Sequence, residues 1–224
     1  MGSGTTILNG NNSSFSGLAN VNAGILLANS STALGTSMVT VANSGTLGGN
    51  GSIGGAAAIT SGGTLAPGYY GVGSLSFTNG LTLQAGSTTL FRLNSGNSFT
   101  SINLPGENVR YGGELVFNIA GYTPSAQDVF TVFNMTGGAT ASGNFSSIQV
   151  GGTFLSDASG IWSGTDPLGV RYQFSDATGQ LIVIPPGPVV GPLAPIPTLS
   201  ERSLIALLMM LSISGVIALR RQRR

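Results

Sequence analysis

A glycine followed closely by leucine or isoleucine recurs through the first half of the chain, as Gly24-Ile25-Leu26, Gly45-Thr46-Leu47, Gly63-Thr64-Leu65 and Gly80-Leu81. Between these points run short apolar alternations, Met38-Val39-Thr40-Val41, Ser74-Leu75-Ser76-Phe77 and Leu81-Thr82-Leu83, bounded by Gly and Asn. Period-two alternation in pieces this short reads as half-buried strands separated by tight turns. No stretch here carries a helical stripe. One strand-bearing unit about every 20 residues is what a solenoid requires, each coil lying on the last with its inward Leu, Ile or Val stacked on a neighbour. Glycine is expected to supply the positive-φ corners between faces. The steps Asn9-Gly10, Asn50-Gly51 and Asn79-Gly80 also suit hairpin turns, so an up-and-down antiparallel sheet is the alternative.

Composition narrows the chemistry. The 224 residues include 8 basic and 7 acidic side chains, no Cys and no His. Thiol nucleophiles, disulfides, Ser-His triads and nearly all transition-metal sites are therefore excluded, and no cofactor is expected. Carboxylates, Arg, Tyr and hydroxyls remain. The net charge of +1 conceals an asymmetry, because Arg220, Arg221, Arg223 and Arg224 crowd the C-terminal end while Arg92, Arg110 and Arg171 face six acids in residues 1–199. With no Lys and no basic stripe in the body, nucleic acid is not an expected partner.

Thr6-Ile7-Leu8-Asn9-Gly10-Asn11-Asn12-Ser13-Ser14-Phe15-Ser16-Gly17, followed by Val21-Asn22-Ala23-Gly24-Ile25-Leu26, resembles the autotransporter-associated β-strand repeat of bacterial surface-protein passengers. Gly45-Thr46-Leu47-Gly48-Gly49-Asn50-Gly51-Ser52-Ile53-Gly54-Gly55 and Gly62-Gly63-Thr64-Leu65-Ala66-Pro67-Gly68 look like later coils of the same family. The resemblance covers about residues 5–95 and implies a right-handed parallel β-helix. The expected class is all-β: a solenoid over residues 1–106 and a β-rich region over 107–184. That second region carries longer, more aromatic strands such as Glu114-Leu115-Val116-Phe117-Asn118-Ile119 and Val129-Phe130-Thr131-Val132-Phe133, and reads either as the last coils or as a cap protecting an open sheet edge.

The composition then changes. Residues 185–197 hold six of the ten prolines and read as a polyproline spacer, reaching roughly 40 Å at about 3.1 Å per residue. Residues 203–219 form an uncharged run near the lower limit of length for a bilayer span, ended by the Arg cluster. Basic residues accumulate on the cytoplasmic side, so a single span with its C-terminus inside and the β body outside is expected. Ile196-Pro197-Thr198-Leu199-Ser200-Glu201, set directly before this run, resembles the IPTL-CTERM sorting signal of Gram-negative bacteria. That resemblance implies that Ile196, Pro197, Thr198 and Leu199 are read by a membrane-embedded exosortase-type protease, that residues 203–219 hold the chain temporarily, and that Arg220, Arg221, Arg223 and Arg224 retain it. Where the family usually has Trp-Gly after Ser-Glu, this chain has Arg202-Ser203. A plain tail anchor on a Pro-rich stalk is the competing reading of residues 185–224.

Other motifs carry less. Gly49-Asn50-Gly51-Ser52-Ile53-Gly54 fits GxGxxG, but neither a helix nor an acid about 20 residues later is expected to follow, so no phosphate cradle is read there. Residues 1–106 contain no Asp or Glu, which removes the acid and base that a polysaccharide-cleaving groove would need. An enzyme of that kind would have to use carboxylates in 107–176, with Glu114 and Asp128 the residues to test. Asp157, Asp166 and Asp176 read as turn caps, with calcium binding the alternative. Tyr69-Tyr70 reads as an exposed turn pair that could also stack on a sugar. An exported protein needs a secretory signal peptide, and Met1-Gly2-Ser3-Gly4 leads straight into repeat text, so the N-terminus is expected to be truncated or part of a larger chain. The functional expectation is a non-enzymatic surface module, structural or adhesive, whose partners are the membrane, a sorting protease, and surface glycans or other cells.

Overall fold

Three ladders of parallel strands run through most of the computed structural model, which describes residues 4–119 and 121–185. The described residues all fall in one compact unit. Twenty strands and no helix occur among the described residues.

In the first ladder, residues 19–21 pair with 39–41, and these in turn with Ala57–Ile59, Leu81–Leu83, Val109–Tyr111 and Ala141–Gly143. The second begins at Thr5–Leu8 and passes through 25–27, 46–49, Thr64–Pro67, Thr88–Ser95, Glu114–Asn118 and Ser147–Val150. The third joins Ser52–Ile53, Gly73–Phe77, Ser98–Pro105 and Phe133–Thr136. For these strands the parallel arrangement replaces the hairpin alternative. One antiparallel contact interrupts it, between Thr88–Ser95 and Ser98–Pro105.

The repeat expected from the glycines holds for two steps and then shifts phase. Ile25 pairs with Thr46, and Thr46 with Thr64, each step taking the chain from one glycine of the series to the next. Thr64 then pairs with Thr88, well beyond Gly80, whereas Leu81 pairs with Ala57 in the first ladder. Gly80-Leu81 is therefore not the fourth member of the series. The cause is the turn at 68–72, which separates Thr64–Pro67 from Gly73–Phe77, where the preceding coil passes almost directly from residue 49 to Ser52–Ile53. Later coils are longer still, Thr88 pairing with Glu114 and Glu114 with Ser147.

The role of the repeated glycines also differs from expectation. Gly24 has φ 68°, but neither Gly45 nor Gly63 has positive φ. They are needed because a β-carbon would stand 2.0 Å from the Val21 carbonyl oxygen at Gly45, and 2.4 Å from that of Val41 at Gly63. Close approach of the neighbouring coil, rather than a left-handed corner, selects glycine there.

Inward side chains build one continuous core. Leu26, Leu47, Leu65, Thr89, Leu115 and Ile148 occupy one row of the second ladder, all nearly inaccessible. Towards higher residue numbers the fill turns aromatic, with Phe91, Phe117 and Phe133 joined to Tyr111, Phe145 and Phe174 at centroid separations from 4.6 Å to 6.5 Å. Longer coils enclose more space, and close packing demands larger side chains to fill it. After Ser147–Val150 the pairing becomes antiparallel through Thr153–Ala158, Ile161–Thr165, Arg171–Ser175, Gln180–Ile184 and Val129–Thr131. Trp162, Tyr172, Phe174, Leu181 and Val183 from this meander belong to the same buried cluster.

Candidate functional site

The second ladder alternates strictly, so Leu27, Gly48 and Ala66 form a row on its outer side, between the inward rows. Leu27 and Ala66 are nevertheless only 4% and 2% exposed. The 68–72 turn covers them. A β-carbon on Gly48 would stand 2.6 Å from the Ala66 carbonyl oxygen, 3.0 Å from Tyr69 Cβ and 3.1 Å from Leu27 Cδ2, so the neighbouring coil and the tyrosine together leave no room for a side chain at 48.

Tyr69 and Tyr70 stand edge to face, with ring centroids 4.9 Å apart and planes at 84°. The Arg92 guanidinium carbon lies 5.7 Å from the Tyr69 ring centre, within the range of a cation–π contact. Tyr70 remains 69% exposed, yet its hydroxyl reaches to 3.4 Å from Thr5 Oγ1, in the strand three pairings earlier in the ladder. A cleft of about 250 Å³ opens here, lined by Leu27, Asn29, Asn50, Tyr69 and Tyr70 over Gly49, Gly68 and Gly71.

A row of asparagines borders the cleft. Asn29 Nδ2 donates to Asn9 Oδ1 at 3.1 Å, and the Asn50 backbone N–H donates to Asn29 Oδ1 at 3.3 Å. The Asn50 side-chain amide packs against Gly73, where a β-carbon would fall 2.2 Å from Asn50 Oδ1. Among the described residues it has no hydrogen-bond partner. Sequence reasoning reached Tyr69 and Tyr70 but missed the asparagines, Gly48 and Arg92. The signal for the asparagines was present: Leu8-Asn9, Ala28-Asn29 and Gly49-Asn50 recur once per coil, each an apolar or small residue followed by Asn.

Four of the carboxylates serve local structure. Asp157 Oδ1 accepts from the Gly160 N–H, and Asp166 Oδ1 from the N–H groups of Leu168 and Val170. Asp166 Oδ2 accepts from the Tyr172 hydroxyl, and Asp128 from that of Tyr122 and the Ser125 N–H. Glu114 Oε1 accepts from Gln149 Nε2 at 2.9 Å. No group of three or more acids suited to a metal ion occurs among the described residues. Asp176 stands apart: burial pushes its carboxyl up to about 6, the nearby Asp157 adding to the rise while the Trp162 N–H opposes it. Burial likewise raises the Tyr111 hydroxyl, with the Asp176 charge a second cause. The Gly49–Gly54 motif has the strand Ser52–Ile53 inside it, so no helix N-terminus stands behind those glycines.

The sorting residues Ile196, Pro197, Thr198, Leu199, Ser200 and Glu201, the apolar run 203–219 and Arg220, Arg221, Arg223 and Arg224 lie outside the described residues. Among the described residues no helix is long and apolar enough to cross a membrane.

An all-β body of parallel ladders with a closing antiparallel meander is the class defined by this geometry. Over 149 residues, 61% of the chain, it is 39% identical to the Adhesin BmaC autotransporter of Brucella suis biovar 1 (strain 1330). The chain spans about 4% of that protein's length, so the likeness is to one segment of it. No protein-family model matches the chain.

Proposed function

We propose that the chain is a non-enzymatic module of the cell surface, a passenger-like right-handed parallel β-helix with a structural or adhesive role. The observation that carries this reading is the stacking of the first coils in parallel register, combined with 39% identity to a segment of an autotransporter adhesin. A rigid rod of stacked coils displays long, flat, side-chain-rich faces, and such faces bind by surface complementarity rather than by chemistry. The rival reading, a polysaccharide-acting enzyme, is disfavoured because Glu114 and Asp128 are each occupied in local hydrogen bonds.

Residues 107–184 continue and then close the helix in this proposal, and 185–197 hold it off the membrane. The C-terminal segment acts as a temporary anchor: residues 203–219 span the inner membrane, Arg220, Arg221, Arg223 and Arg224 remain in the cytoplasm, and a sorting protease cuts near residues 196–201. The released body is then at the cell surface or outside the cell. Mass spectrometry of the mature protein, from cells possessing such a protease, tests this. Cleavage leaves no peptide containing Gln222, and recovery of an intact C-terminal peptide would sink the processing step. Adherence of cells expressing the full chain, compared with cells lacking it, tests the adhesive role. Glycan turnover that disappears in Glu114→Ala or Asp128→Ala would overturn the non-enzymatic assignment.

A further inference from the structure

We infer that the cleft under Tyr69 and Tyr70 is a binding subsite for one neutral pyranose unit of a glycan. The inference deepens the adhesive reading above and rests on it, by naming the chemical class that one place on the module takes. Two features set the ligand class. The walls are the two tyrosine rings and Leu27, and the polar group offered by Asn50 is a side-chain amide with unused donor and acceptor capacity. A pyranose with equatorial hydroxyls presents an apolar face of axial C–H groups to a ring and a rim of hydroxyls to an amide. A volume of about 250 Å³ falls just below the roughly 300–1,000 Å³ of drug-sized sites, which suits a single six-membered ring.

The lining itself is uncharged, which suits a neutral sugar. No charged side chain lines the cleft, and residues 1–106 contain no acid and only one base, Arg92. That guanidinium sits over the ring of Tyr69, where it orients the aromatic wall.

The site is also held in shape before any ligand arrives. Arg92 supports Tyr69, Thr5 Oγ1 meets the Tyr70 hydroxyl, and Gly48 leaves the space that seats the turn. A β-carbon on Gly49 would stand 2.2 Å from the Ala28 carbonyl oxygen, so the floor is bare backbone. Tyr69, packed in advance, loses little conformational freedom on binding, which raises affinity for a small ligand.

The test titrates the full chain, in a detergent without a sugar headgroup, with cellohexaose, with α-linked maltohexaose and with a sialylated oligosaccharide, read by calorimetry. Saturable binding of cellohexaose and maltohexaose in preference to the sialylated oligosaccharide is expected. Tyr70→Ala is expected to weaken it about tenfold or more, and Tyr70→Phe, which keeps the ring, by less than about threefold. Asn50→Ala should weaken it about three- to tenfold, and thermal melting of each variant checks that the fold persists. Failure of cellohexaose to bind, a preference for the sialylated probe, or affinity unchanged in both Tyr70→Ala and Asn50→Ala would overturn the subsite. The adhesive reading fails separately, if cells expressing the full chain adhere no better than cells without it.

Discussion

Gly48 lies beneath Tyr69: a β-carbon at position 48 would stand 3.0 Å from Tyr69 Cβ and 2.6 Å from the Ala66 carbonyl oxygen. The turn at 68–72 and the outer face of the second ladder are thus matched to one missing side chain. Gly48→Val is expected to lift the turn and destabilise the protein by about 1–3 kcal/mol, as overpacking does elsewhere. At this chain length, each kcal/mol lowers the melting temperature by about 2–4 °C. Gly71→Ala, whose new β-carbon meets nothing within 4 Å, is the control and should melt with the parent.

Thr89 interrupts an otherwise aliphatic inward row between Leu65 and Leu115, and its buried hydroxyl has no hydrogen-bond partner among the described residues. Thr89→Val keeps the shape and removes the stranded polar atom. A gain of about 1–2 kcal/mol is expected in chemical denaturation. A loss of stability would show that the hydroxyl is satisfied in solution.

Phe133 is inaccessible and meets Phe91, Tyr111, Phe145 and Phe174. Phe133→Ala should cost about 3–5 kcal/mol, the range for emptying a large aromatic site. Phe154, 65% exposed, provides the comparison, and its alanine variant should stay within about 0.5 kcal/mol of the parent. Urea midpoints at constant slope separate the two.

Asp176 gives stability a pH dependence of unusual sign. Its carboxyl is raised from 3.8 to about 6 in the folded protein, so between these values the native state binds more proton than the unfolded chain. Stability contributed by this group therefore falls as pH rises from about 4 to about 6 and is level above. Asp176 is only partly buried as a residue, so the effect discounted for screening is about 1 kcal/mol rather than the full linkage value. Asp176→Asn, which retains an acceptor for Trp162, should flatten this segment of the profile and stabilise the protein at pH 7. An unchanged slope in thermal melts at pH 4, 5, 6 and 7 would contradict the assignment.

The chain contains no Cys, and Glu114, Asp128, Asp157 and Asp166 are engaged singly in turns and strand contacts. Melting is expected to be the same with and without EDTA or dithiothreitol. A fall of many degrees in EDTA would reveal a calcium site.

Much of the body was legible because strands announce themselves locally. Leu26, Leu47 and Leu65 stack where their glycines suggested, since the first coils are of nearly equal length and sequence period equals structural period. The classes of chemistry that the chain cannot perform were also legible, because they depend only on which side chains exist. The cleft was half legible. Tyr69 and Tyr70 stood out as an aromatic pair, but nothing local links them to Leu27, Asn29 or Arg92.

By itself, then, the sequence determined an all-β chain with short strands, an acid-free first half and no thiol or imidazole chemistry. Tertiary structure alone decided that Gly80-Leu81 leaves the glycine series, that Gly45 and Gly63 answer to a neighbouring carbonyl rather than to φ, and that Tyr69 seats over Gly48. The physical reason is common to all three. Alternation reports how a strand faces its own neighbours, whereas register between coils depends on how much chain each turn consumes. The long turn at 68–72 shifts every later pairing and folds its tyrosines onto an earlier coil, and only packing of the coils against one another selects that outcome.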